Sequence, residues 1–167
     1  MSGKVFDTDG EPGCAHKDRR HRQGGHTGRD IQPEPVTCRT VVALLEEEEH
    51  LPVITDLRYD SADPYSVFMV FDAGSDSVIE WEFGRELLTS GRRRLTGLGD
   101  VQIWPAEIRG HGLVYMSFRS GWEMFVVAAS AAVVDEFLKS TFEVVPLGEE
   151  RSFLSIEGFV GQLPNET

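Results

Sequence analysis

After residue 35 the pattern of apolar and polar positions is mostly that of strands, with a period of two plainest at Tyr65–Phe71 and Val78–Phe83, and it shifts to a helical spacing in two places. Val36 to Leu45 is rich in β-branched and apolar residues and runs into Glu46 to Glu49, which predicts a strand with a solvated end. Leu51 to Tyr59 predicts a second strand. Asp60-Ser61-Ala62-Asp63-Pro64 predicts a turn, because Asp and Ser side chains satisfy nearby backbone groups and Pro fixes φ. Tyr65, Val67, Met69 and Phe71 then alternate with Ser66, Phe68 and Val70, so this strand carries apolar groups on both faces and belongs in the interior. Gly74-Ser75-Asp76-Ser77 predicts a hairpin turn. Beyond it Ile79, Trp81 and Phe83 share one face while Val78, Glu80 and Glu82 share the other, as in a strand with one solvated side.

Gly84 to Ser90 predicts a short helix with Leu87 and Leu88 as its apolar edge, stopped by Gly91 through tolerance of positive φ. Arg92-Arg93-Arg94 opens a loop that reaches Gly99. Asp100 to Trp104 predicts a short strand ended by Pro105, and Arg109-Gly110-His111-Gly112 a turn. Leu113 to Phe118 and Trp122 to Ala128 predict an antiparallel pair around Arg119-Ser120-Gly121. Ser130 is placed to cap a second helix extending to about Ser140, with Val133, Val134, Phe137 and Leu138 on its buried face. Asp135 and Glu136 fall early and Lys139 late, as the helix dipole favours. Val144 to Gly148 closes the domain.

Strands, a short helix, more strands and a longer helix argue for an α+β fold. The expected architecture is one antiparallel β-rich domain of about seven strands and two helices over residues 36–150. Residues 1–35 predict a disordered N-terminal tail, since Val5, Phe6 and Ile31 are its only large apolar residues apart from Met1. Residues 151–167 predict a C-terminal extension that docks weakly through Phe153, Leu154, Ile156 and Phe159 or frays.

Composition narrows the function. A hydrophobic fraction of 40% in 167 residues supports one globular core. No apolar run approaches the roughly 20 residues that cross a bilayer, and the N-terminus lacks a signal peptide's apolar stretch, which predicts a cytoplasmic protein without a transmembrane segment. Cys14 and Cys38 do not make a disulfide framework, so reduced thiols are expected. Residues 1–35 hold six Lys/Arg and six Asp/Glu, so the net charge of −12 falls wholly on the remainder, where ten Lys/Arg face 22 Asp/Glu. Such a surface repels phosphate backbones and argues against nucleic-acid binding.

Four blocks in order carry a family likeness. Leu57-Arg58-Tyr59-Asp60-Ser61-Ala62-Asp63-Pro64-Tyr65-Ser66-Val67 closely resembles the signature of the SsgA-like proteins of sporulating actinomycetes. Trp81-Glu82-Phe83-Gly84-Arg85-Glu86-Leu87-Leu88 resembles the start of that family's first helix. Gly99-Asp100-Val101-Gln102-Ile103-Trp104-Pro105 resembles its next strand. Phe137-Leu138-Lys139-Ser140-Thr141, followed by Val145-Pro146-Leu147-Gly148, resembles its last helix and exit. The resemblance implies a Whirly-like, barrel-type fold that forms trimers. It implies regulation of sporulation-specific septation through contact with the division GTPase FtsZ, other divisome proteins and other SsgA-like proteins at the division septum. It further implies no enzyme activity and no required cofactor. The long tail and the continuation to Thr167 depart from the family pattern.

Candidate partner-surface residues are Arg58, Asp60, Asp63, Arg85, Arg92, Arg93 and Arg94. Turn chemistry alone accounts for Asp60, Asp63 and Pro64. Arg58 and Arg85 could each pair with a carboxylate or face a partner. Arg92-Arg93-Arg94 is the one basic cluster on the acidic domain, readable as a docking point for an acidic partner or as a solvated loop. Cys14, His16, His21 and His26 match no standard zinc spacing, and no nucleophile elbow or phosphate-cradling Gly pattern is present. Two competing readings are a single-stranded nucleic-acid binder and a cell-wall hydrolase using Glu80 and Glu82.

Overall fold

The computed structural model describes residues 35–72 and 77–154, together with the two-residue strand β1 (Cys14–Ala15). From Pro35 the order is β2 (Pro35–Leu45), β3 (His50–Asp60), β4 (Ser66–Asp72), β5 (Val78–Gly84), α1 (Arg85–Gly91), β6 (Val101–Ile108), β7 (His111–Ser120), β8 (Glu123–Ser130) and α2 (Ala131–Val144), with a 3-10 turn at Glu150–Phe153. All pairings are antiparallel, and the sheet order is β5-β4-β3-β2-β8-β7-β6, with β1 on β2. The sheet curls into a half-barrel, in agreement with the expected α+β class.

The sheet has two unequal halves. β2 and β3 pair over the whole length of both strands, whereas β2 meets β8 only at Ala43↔Ala128 and Leu44↔Val127. What joins the halves is packing. Phe71 from β4 and Trp81 from β5 meet Phe118 from β7 at ring-centroid distances of 5.5 and 5.2 Å, and Phe118 stacks on Phe125 at 5.1 Å. These spacings are those at which aromatic rings attract beyond their area burial. Helix α1 packs against β5 and β6, the two outermost strands of the order, and α2 packs against β2, β7 and β8. The helices therefore close the open side of the curl, and the core lies between them and the concave face.

Several local expectations change. Pro105 does not end its strand; β6 continues to Ile108 with Pro105 opposite Val114, which is permitted because β6 is an edge strand whose outer backbone needs no ladder partner. Gly91 is not a positive-φ stop. It is required by space, since a Cβ there would collide with the Ile103 side chain of β6. Ser130 holds the N-cap position, but its side chain makes no cap hydrogen bond. Because α2 starts at Ala131 and runs on to Val144, Asp135 and Glu136 lie beyond its first turn and Lys139 before its last, so the dipole argument does not apply to them. Trp122 lies in a turn ahead of β8, and Tyr65 is exposed ahead of β4. The hairpin turn expected at Gly74-Ser75-Asp76-Ser77 lies outside the described residues up to Asp76, as do most of residues 1–35 and everything after Leu154.

Candidate functional site

The first functional candidate to resolve is Arg85, the first residue of α1, whose side chain is only 2% exposed. Its backbone N–H donates to Tyr65 O at 2.8 Å, tying the helix start to the turn after β3. Its Nη1 donates to the carbonyls of Thr141 and Val145 at 3.1 and 2.8 Å, at the end of α2. Its Nη2 donates to Glu150 Oε1 at 2.8 Å. The guanidinium carbon also lies 5.0 Å from the ring centre of Tyr59 and 4.5 Å from that of Phe142. Tyr59 in turn donates its hydroxyl to Pro64 O at 3.0 Å. Burial pushes that hydroxyl's pKa up to about 12, against the opposing pull of the nearby Arg85 charge. Of the two readings of Arg85, the carboxylate pair is the one its described contacts form: the guanidinium is buried and bonded to Glu150 and to two carbonyls.

Glu150 is the counter-ion that the residue pattern did not single out. It lies 65 positions from Arg85 in sequence, which no local spacing rule reaches. Its carboxyl is held below the ordinary carboxylate range, first by its own backbone N–H and then by Arg85.

Arg92 follows the last residue of α1 and forks onto Asp135 of α2, with Nε and Nη2 donating to the two carboxylate oxygens at 2.6 and 2.7 Å. That hydrogen-bonded carboxylate raises the Arg92 pKa further. Arg93 and Arg94 are exposed in the loop beyond, so the sequence triplet divides into one cross-helix pair and two surface cations.

Arg58 lies on the convex face of β3. Its Nη2 donates to Asp56 Oδ2 at 3.3 Å, while Arg39 of β2 forks onto the same carboxylate at 2.8 and 3.2 Å. The Arg39 contact is the main reason the Asp56 carboxyl sits below its ordinary range. The register places Arg39 directly opposite Asp56, a pairing visible only once strand alignment is known. Asp60 and Asp63 build the turn as expected: Asp60 Oδ1 accepts from Ala62 N at 2.8 Å, and Asp60 O accepts from Asp63 N at 3.0 Å. The same face holds an open hollow of about 310 Å³ lined by Pro35, Thr37, Arg58, Asp60, Phe68 and Glu80. Glu80 and Glu82 are exposed on the edge strand β5, and Glu82 accepts from Ser66 Oγ at 2.8 Å.

The structure therefore brings Arg58, Asp60 and Asp63 to one end of β3 and places Arg85 beneath them, while Arg92, Arg93 and Arg94 lie at the far end of α1. A second exposed feature is not marked by the residue pattern. Ser120 pairs with Glu123, leaving Gly121 (φ 61°) and Trp122 as a two-residue hairpin turn. Arg119 N donates to Asp100 O at 2.9 Å, which aligns this tip with the loop carrying Leu98. Trp122 and Leu98 are both fully exposed, and Met124 is 57% exposed. A period-two pattern marked Trp122 as apolar without showing that the strand starts one residue later.

Among the described residues, every buried side-chain N or O atom has a hydrogen-bond partner, and no three His, Cys, Asp or Glu side chains are grouped to hold a metal. The His16, His21, His26 and Cys14 side chains lie outside that description. No helix among the described residues is long and apolar enough to cross a membrane.

Comparison with known proteins agrees with this geometry. A family profile described as "Streptomyces sporulation and cell division protein, SsgA" matches residues 53–150. The chain is 38% identical to the sporulation-specific cell division protein SsgB of Streptomyces coelicolor over 123 residues, which covers 73% of this chain and 90% of that relative. It is 34% identical over 128 residues to the SsgB of Thermobifida fusca, covering 76% and 93%. The crystal structure of an SsgA-like sporulation-specific cell division protein from Thermobifida fusca superposes with a TM-score of 0.71, covering 77% of this chain and 94% of that one.

Proposed function

The chain belongs to the SsgA family of sporulation and cell division proteins, and from that premise we propose that it regulates sporulation-specific septation as a protein–protein adaptor at the division septum, contacting FtsZ or its associates and other SsgA-like proteins. A role in sporulation cell division is what its relatives' names carry. The adaptor mechanism is our reading, and one observation supports it above the others. Among the described residues, the buried polar side chains all have partners within the fold, as Arg85 has Thr141, Val145 and Glu150, and Tyr59 has Pro64. The chemistry left over is exposed, chiefly Arg93, Arg94 and the Leu98–Trp122 tip, and exposed Arg and Trp are the residue types that dominate contact energies at protein interfaces.

The nucleic-acid alternative is disfavoured by the convex face, where Asp60, Asp72, Glu80 and Glu82 surround Arg39 and Arg58, both already turned to Asp56. For the hydrolase alternative, Glu80 and Glu82 stand exposed on an edge strand, one of them bonded to Ser66. Pull-down of purified FtsZ and SsgA-like proteins on the immobilised chain tests the adaptor reading. Capture of at least one is expected, with weakening in an Arg93→Glu/Arg94→Glu variant. Capture of none, together with diffuse fluorescence of a tagged chain through sporulation, would overturn it.

A further inference from the structure

Two turns lie beyond one end of the β6–β7 ladder. The last register pair at that end is Val101↔Phe118, and the Arg119 N–H adds one more bond, to Asp100 O. Past it, the loop into β6 carries Leu98 and the turn out of β7 carries Trp122, both fully exposed. A Cβ placed on Gly99 or on Gly121 would meet nothing within 4 Å, so both side chains stand beside bare backbone, clear of the body. Leu95 and Met124 are exposed as well, which widens an apolar patch of the kind that marks a contact surface. The charge here is opposite to that of the body. Residues 93–100 and 119–124 hold Arg93, Arg94 and Arg119 against Asp100 and Glu123, a surplus of one positive charge, whereas the chain as a whole carries −12. Arg119 lies opposite Met124, with Nη2 3.9 Å from its sulfur, so a cation borders the apolar tip directly.

We propose that the Leu98–Trp122 tip is a lipid-contact site, which rests the chain on a bilayer bearing anionic headgroups. Leu98 and Trp122 enter the interface, and Arg93, Arg94 and Arg119 meet the headgroup phosphates. Three arguments carry this. First, an indole with an apolar body and one polar N–H is the side chain that membrane–water interfaces favour. Second, side chains that project singly from neighbouring turns are enclosed at once by a surface that yields, whereas a folded partner needs a socket for each. Third, the charges select an anionic surface. Salt screens charges beyond about 8 Å, so a bilayer at the tip meets these arginines and not the acidic remainder. Apolar insertion combined with attraction to anionic lipid is how a protein lies on a membrane without crossing it. Asp100 and Glu123 limit the depth, since their carboxylates stay in water while the neighbouring apolar side chains enter. The inference goes beyond the adaptor reading and stands without it: a chain that captured no division protein would still bind such a bilayer.

Co-sedimentation of the full-length chain with vesicles tests this. Vesicles of phosphatidylglycerol mixed with phosphatidylcholine should carry the chain down, and added salt should release part of it. A Leu98→Ser/Trp122→Ser variant should bind at least about tenfold more weakly, with Tm within about 1 °C of the unaltered chain because both positions are exposed. An Arg93→Glu/Arg94→Glu/Arg119→Glu variant should bind more weakly too, and its remaining binding should lose its salt dependence. No binding to the mixed vesicles, or equal binding by the Leu98→Ser/Trp122→Ser variant, would overturn the proposal. Equal binding of the unaltered chain to phosphatidylcholine alone would also overturn it, because charge would then not select the surface. If the Leu98→Ser/Trp122→Ser variant kept its vesicle binding and lost capture of FtsZ or of an SsgA-like protein, the tip would be a protein contact and the lipid assignment would fall while the adaptor reading stood.

Discussion

Arg85 and Arg92 stand at opposite ends of one short helix, and each binds a carboxylate, yet they are different devices. Arg85 is buried, meets four other segments of the chain, and makes two of its three side-chain hydrogen bonds to carbonyls at the end of α2. Arg92 reaches over the surface to a carboxylate that is itself 55% exposed. Residue type and helix are shared; what differs is how much water each guanidinium has lost. A desolvated charge holds its partners because neither side has an alternative, whereas an exposed pair competes with solvent at every moment.

Replacing Arg85 should produce the largest loss. Arg85→Ala takes a donor from the Glu150 carboxylate, from Val145 O and from Thr141 O, the last of which keeps the Val145 N–H, and breaking one side of a buried pair typically costs about 3–5 kcal/mol. Thermal unfolding should report this as a fall in Tm of about 10 °C, and Arg85→Lys should recover only part of it, since a compact ammonium lacks the planar fork by which Nη1 and Nη2 reach separate acceptors. Next comes Gly91→Ala. The added methyl meets Ile103 directly, so α1 must shift off β6, at an overpacking cost of about 1–3 kcal/mol. A Gly91 substitution that left Tm unchanged would show that α1 is not pressed against β6.

Acid sharpens the comparison from another side. Asp56 and Glu150 both have folded-state pKa values below their ordinary range. A lowered carboxylate contributes stability above the unfolded value, about 4, and loses it as pH falls through the lowered folded value. Unfolding free energy should therefore decline below about pH 4, and Asp56→Asn should flatten part of that decline. An acid limb identical in the variant would mean that Asp56 contributes nothing to it.

The strand pattern was legible because period two survives wherever one sheet face is buried, as along Val67, Met69 and Phe71. Element ends were less so. Pro105 and Gly91 were read from their backbone chemistry, but their roles depend on which strand lies at the edge and which side chain lies opposite. The candidate site divided in the same way. Turn residues Asp60 and Asp63 act within a few positions and were readable, whereas Arg85–Glu150, Arg92–Asp135 and Arg39–Asp56 join segments 65, 43 and 17 residues apart and required the fold. No sequence spacing separates Arg92 from Arg93 and Arg94, though only the first is turned to Asp135.

That division sets up the smallest stability effects and the test of greatest functional consequence. Arg92→Ala should cost about 0.5 kcal/mol, as an exposed ion pair does, and the loss should shrink with added salt. Arg93→Ala and Arg94→Ala should leave Tm within about 1 °C, because exposed side chains away from packing and networks contribute little. If these two cations serve a partner, their replacement should instead weaken capture of that partner, with a salt dependence that the Arg92 variant lacks. The reverse pattern, with Arg92 governing binding and Arg93 and Arg94 governing stability, would mean that the surface end of α1 is organised by the helix–helix contact and not by anything that docks there.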